Sequence, residues 1–87
     1  MDYVVERYLP GLDGDTLEAA LERLRLATEE MRREGTRIRY LGSTVVPKDE
    51  ACFCQFEAES EGAVAEANRR AGLPCDRVVP AVPFPRR

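Results

Sequence analysis

One apolar stripe governs what this chain can become. Leu17, Ala20, Leu21, Leu24, Ala27, Thr28 and Met31 recur at intervals of three and four residues, the period of an α-helix that buries one side. Glu18, Glu22, Arg25, Glu29, Arg32 and Arg33 fill the other positions, and Glu29 precedes Arg33 by four, the spacing of a helical ion pair. Asp15, with Glu18 three positions on, fits a capping box, and Gly35 supplies a left-handed residue to end the helix. Such a helix needs an apolar layer to cover.

The flanking segments supply that layer as strands. Residues 3–9, Tyr-Val-Val-Glu-Arg-Tyr-Leu, are β-branched and aromatic, and Pro10-Gly11 closes them. Residues 37–46 and 51–57 read as two strands joined by the hairpin loop Pro47-Lys48-Asp49-Glu50. Placing Val46 opposite Ala51 fixes the register, and alternation then sorts the side chains. Leu41, Ser43, Val45, Cys52, Cys54 and Phe56 are expected on the core face. Ile38, Tyr40, Thr44, Val46, Phe53, Gln55 and Glu57 are expected on the opposite, open face.

Ser60 caps a second helix with Val64, Ala67 and Ala71 inside, and Gly72 followed by Leu73-Pro74 stops it. Residues 77–82 form a last strand, whose Pro80 cannot donate to a ladder and so belongs at a sheet edge or at a bulge. The order β-α-β-β-α-β predicts the ferredoxin-like α+β fold, a four-stranded antiparallel sheet with two helices on one face. Residues 1–82 make a single domain and residues 83–87 a tail.

Composition narrows the chemistry. The chain of 87 residues contains no histidine. That removes the usual general base at neutral pH, the commonest metal ligand, and every catalytic arrangement built on imidazole. Thirteen basic against 16 acidic side chains give a net charge of −3, the wrong field for nucleic acid or an anionic membrane. No apolar run is long enough to span a bilayer, and the N-terminal Met-Asp-Tyr-Val-Val-Glu lacks the pattern of a secretory signal. Three cysteines suit a reducing compartment rather than a disulfide framework. The expectation is a cytoplasmic protein. A chain this small buries only about 60–65% of its unfolded surface, which favours a homodimer.

Two sets of residues carry candidate chemistry. Cys52 and Cys54 alternate on a strand, so both thiols project to one face, either as a soft-metal or redox pair or as small buried core groups. With Val5 and Leu9 inward, Glu6 and Tyr8 face outward beside Tyr40, Gln55 and Glu57. A carboxylate among phenols can act as a base or coordinate a cation; equally, it can pair with Arg7, Arg37 or Arg39 at a dimer seam. The candidate metal ligands are therefore Glu6, Glu57, Cys52 and Cys54. The open-face set is Tyr8, Ile38, Tyr40, Thr44, Phe53 and Gln55. Arg69, Arg70 and Arg77 form a positive cluster near Cys75, complementing the second helix's C-terminal dipole.

Four stretches together resemble a known family. They are Val-Glu-Arg-Tyr-Leu-Pro-Gly at residues 5–11, Arg-Tyr-Leu-Gly-Ser-Thr at 39–44, Asp-Glu-Ala-Cys-Phe-Cys-Gln-Phe-Glu-Ala at 49–58, and Glu-Ala-Asn-Arg-Arg-Ala-Gly-Leu-Pro at 66–74. In combination, over residues 3–82, they are similar to the small bacterial nickel-binding protein family. The resemblance implies a ferredoxin-like homodimer that sequesters Ni(II) or another divalent metal at the dimer surface. The alternative is a small cofactor-independent enzyme of isomerase, cyclase or monooxygenase type. It would bind a small molecule on the open face, with Glu6 or Glu57 as base and Tyr8 or Tyr40 as proton donor.

Overall fold

The computed structural model describes residues 1–11 and 13–86. Strand β1 (Asp2–Tyr8) leads to helix α1 (Gly14–Arg33), then to strands β2 (Ile38–Val46) and β3 (Ala51–Ala58), helix α2 (Glu61–Ala71) and strand β4 (Arg77–Ala81). A single 3₁₀ turn, Pro47–Asp49, joins β2 to β3. The strands form one antiparallel sheet in the order β2-β3-β1-β4. This is the ferredoxin-like α+β fold expected from the element order. Pro80 lies on β4, an edge strand that pairs with β1 only, so its missing N–H interrupts no central ladder.

Both helices cover the same side of the sheet. Ala20, Leu24, Ala27, Thr28 and Met31 of α1 are buried, as are Ala63, Val64, Ala67, Asn68 and Ala71 of α2. They close over Val5, Cys52, Cys54 and Phe56. Full burial of a side chain such as Leu24 or Phe56 stabilises the fold by about 1.5–3 kcal/mol. Between the helices, Arg70 donates to Glu30 at 2.6 Å and to Glu34 at 2.8 Å, and Arg23 Nε donates to the Ala71 carbonyl at 3.1 Å.

The caps follow local chemistry, with one displacement. Asp13, not Asp15, caps α1: its carboxylate accepts from the Thr16 amide at 2.9 Å and the Thr16 hydroxyl at 3.0 Å. Asp15 falls in the first turn, where its charge suits the helix dipole. Ser60 caps α2 through the Ala63 amide at 3.1 Å, and Gly72 ends it at φ 71°. The expected Glu29–Arg33 pair gives way to Arg25, which reaches back to Glu22 and forward to Glu29.

The principal departure from strict alternation lies in β2. Tyr40 pairs with Phe56 and Gly42 with Gln55, leaving Leu41 as an extra residue in a β-bulge. Gly42 sits at φ 140°, a conformation L-residues rarely adopt. The bulge shifts the strand's parity, so Ile38 and Tyr40 share the helix-side face with Ser43 and with Val45, which is 43% exposed near the hairpin end. Ile38 is 2% exposed and Tyr40 packs against the core. Their expected place on the open face is thus corrected, and Leu41 is only half-buried.

Candidate functional site

The helix-free face of the sheet is built from alternate residues of all four strands. Glu6 pairs with Phe53 and Arg77, and Thr44 pairs with Phe53 from the other side. Val4 stands between Gln55 and Val79 in the next row. Phe53 is only half-buried although no helix covers it. Tyr8 is 59% exposed at the end of β1, where its amide donates to Asp76. Of the expected open-face set, Tyr8, Thr44, Phe53 and Gln55 therefore share this surface, while Ile38 and Tyr40 do not.

Charge on this face is paired. Arg77 Nη1 reaches Glu6 Oε2 at 3.0 Å, and Arg39 Nη1 lies 3.7 Å from Glu57 Oε1. Arg77 is thus drawn out of the expected positive cluster. Arg69 and Arg70 pair with Glu66 on their own helix, each at a shortest distance of 2.7–2.8 Å. Hydrogen bonds from those two guanidinium groups hold the Glu66 carboxyl down at about 2.

The two thiols occupy the opposite side. Cys52 and Cys54 are 1% and 0% exposed, with their sulfurs 3.8 Å apart. Ser43 donates its hydroxyl to Cys54 Sγ at 2.8 Å and is itself hydrogen-bonded to Tyr40. Burial and the adjoining Cys54 push the Cys52 thiol up to about 11. Burial likewise raises the Tyr40 phenol.

The four candidate metal ligands are consequently divided. Glu6 and Glu57 lie on the helix-free face and Cys52 and Cys54 within the core. Among the described residues no group of three or more cysteines, aspartates and glutamates is placed to hold a metal. Carboxylates already engaged by arginine, without imidazole, are a poor donor set for Ni(II), so a nickel centre built from a single chain does not fit. The carboxylate–phenol arrangement required by an enzyme also loses Tyr40, which lies on the far side of the sheet from Glu6 and Glu57.

The residue that alternation in the first strand leaves least explained is Arg7. It is fully buried, directly opposite Cys52. Nη1 donates to the Pro74 carbonyl at 2.7 Å and Nη2 to Asn68 Oδ1 at 2.6 Å. The signal available beforehand was parity alone: if Val5 points inward, Arg7 does too.

Two clefts open near these groups. One of about 670 Å³ lies beside the α1–β2 connection and is lined by Arg32, Arg37, Arg39, Glu57 and Glu59 among others. A second of about 290 Å³ is lined by Leu9, Leu17, Val45, Pro47, Ala51 and Cys52, with Gly11, Gly14 and Glu50. Among the described residues no helix is long and apolar enough to cross a membrane.

Comparison with known proteins agrees with this architecture. A structure from Streptomyces coelicolor A3(2), titled the crystal structure analysis of SCO4226, superposes with a TM-score of 0.76 at 21% sequence identity, covering 93% of this chain and 95% of that one. No curated protein matches the chain. The model of the family described as nickel responsive protein SCO4226-like matches residues 3–81, nearly the whole sheet-and-helix unit. The chain belongs to the SCO4226-like nickel-responsive family.

Proposed function

We propose that this chain is a non-catalytic binding subunit that acts as a cytoplasmic homodimer, joined through the helix-free face of its sheet. The observation that carries the reading is Phe53, half-buried on a face no helix covers, with Glu6 and Thr44 as its cross-strand neighbours. Val4, Val46 and Val79 extend the same apolar surface, and the Glu6–Arg77 and Arg39–Glu57 pairs border it. Apolar centres with paired charges around them are the usual anatomy of a subunit interface. Three free cysteines agree with a reducing compartment.

The family description ties the chain to nickel. A twofold seam would put two copies each of Glu6 and Glu57 on the joined faces, so that carboxylates of both chains would share a divalent cation once Arg77 and Arg39 are displaced from them. Metal sequestration at the seam is therefore the role we assign, with Ni(II) or another divalent metal as cargo. Calorimetry on untagged protein tests it: heat on adding Ni(II) to the parent, lost in Glu6→Ala and Glu57→Ala, is the expected outcome. Heat that persists in both variants would place the metal elsewhere, and no heat at millimolar nickel would end the metal assignment.

A further inference from the structure

Among the described residues Arg7 is a buried cation with no carboxylate hydrogen-bonded to it. Both its acceptors, the Pro74 carbonyl and Asn68 Oδ1, are neutral, and its Nε has no hydrogen-bond partner. A guanidinium held out of water in this way is costly unless an anion joins it. The groups nearest in the sheet are thiols. Cys52 is the cross-strand partner of Arg7, and Cys54 is its neighbour on the same face, 3.8 Å away sulfur to sulfur. Burial and the adjoining Cys54 raise the Cys52 thiol, and the Arg7 charge only partly opposes that rise.

We propose that Cys52 and Cys54 form a two-thiolate site for a soft monovalent cation, Cu(I), with Arg7 as the built-in counter-charge of the bound complex. This goes beyond the sheet-face reading and does not depend on it. Soft thiolates suit Cu(I), Zn(II) and iron–sulfur clusters, and of these only Cu(I) is content with two ligands. No third ligating side chain joins the pair among the described residues, so the four-coordinate demand of zinc is unmet. Binding is not a redox step. One Cu(I) enters, two S–H bonds break, two S–Cu bonds form, and two protons leave to solvent. The bis-thiolate carries a charge of −1, which the guanidinium cancels; a divalent ion on the same pair leaves the core charged.

A disulfide fits this geometry less well. The sulfurs would have to close from 3.8 Å to about 2.05 Å. Alternate residues of an extended strand also hold their Cα atoms about 6.6–6.8 Å apart, at the upper limit for such a bond. Cys52 lines the 290 Å³ cleft, the opening nearest to a pair that is otherwise shut off from solvent.

The test is competition for Cu(I) against bathocuproine disulfonate, on reduced protein under nitrogen in a Cys75→Ser background. One copper retained per chain is expected, together with thiolate-to-copper absorption in the near ultraviolet. Cys52→Ser and Cys54→Ser should each abolish retention while circular dichroism stays native. Arg7→Met should weaken retention by about 10- to 100-fold, and Arg7→Lys should restore much of it. Complete stripping of the Cys75→Ser protein by the chelator would overturn the proposal. So would copper retained by the Cys52→Ser/Cys54→Ser double variant, or equal retention of Zn(II) by the parent pair. Loss of two hydrogens on peroxide treatment, with no copper held, would make the pair a disulfide switch instead.

Discussion

Arg7 on the first strand and Asn68 on the second helix are joined by a buried hydrogen bond of 2.6 Å across 61 residues of sequence. Asn68 also donates to the Val64 carbonyl at 2.8 Å, so its amide is oriented before Arg7 reaches it. Asn68→Ala strips a buried guanidinium of an acceptor and should lower unfolding free energy by about 2–4 kcal/mol. The double variant Arg7→Met/Asn68→Leu removes both polar partners and should lose less than Asn68→Ala alone. Urea unfolding of the three proteins decides the matter; a double variant less stable than the single one contradicts it.

The bulge at Leu41 rests on Gly42 at φ 140°. A Cβ there would meet open space, so any penalty is backbone strain rather than a clash. Gly42→Val should therefore cost about 1–3 kcal/mol. Gly14→Ala, at the first position of α1 where φ is not positive, should change stability by no more than about 0.5 kcal/mol. Equal losses at both sites would argue against strain at the bulge.

Acid should weaken the fold through the arginine-paired carboxylates. Glu66 is held at about 2, and Glu34 and Glu22 also lie below the usual value of 4.5. Because their folded pKa values are depressed, they stabilise the protein above about pH 4.5 and lose that contribution as pH falls toward 2. All are on the surface, so the effect is small and shrinks with added salt. Thermal melts between pH 5 and 2, with Glu66→Gln flattening the slope, provide the check.

Alkali acts through the core thiol. The folded state holds the Cys52 proton up to about 11 against an ordinary value of 9.0. A raised folded pKa stabilises below the unfolded value, and this contribution disappears as pH rises from 9 through 11. Cys52→Ala should be less sensitive to pH over that interval than the parent, as read by urea midpoints at pH 8, 9 and 10.

Much of this architecture was legible in local pattern. The 3.6-residue stripe from Leu17 to Met31 placed α1, and the Val46–Ala51 register survives in the hairpin. Pro80 pointed to an edge strand or a bulge, and β4 lies at the sheet edge. Period-two alternation failed for Ile38 and Tyr40 because it assumes an uninterrupted ladder. The warning was Gly42 inside a strand, a common mark of a bulge. Asp13 displaced Asp15 as the cap because both sit beside Gly14 and only the hydrogen bond to Thr16 distinguishes them. The Arg7–Asn68 bond was invisible for a different reason: nothing local links two polar residues 61 positions apart. Alternation in β3 already separated Cys52 and Cys54 from Glu57, but the place of Glu6 depended on the parity of β1, which becomes definite only once Tyr3, Val5 and Arg7 are seen to be buried together.

Sedimentation equilibrium of the untagged parent and of Phe53→Glu bears most directly on the dimeric reading. The parent should sediment at twice the 9.8 kDa chain mass at low micromolar concentration. The variant should remain folded by circular dichroism yet sediment as a single chain. A parent that stays a single chain under these conditions, or a Phe53→Glu variant that keeps the doubled mass, would contradict it.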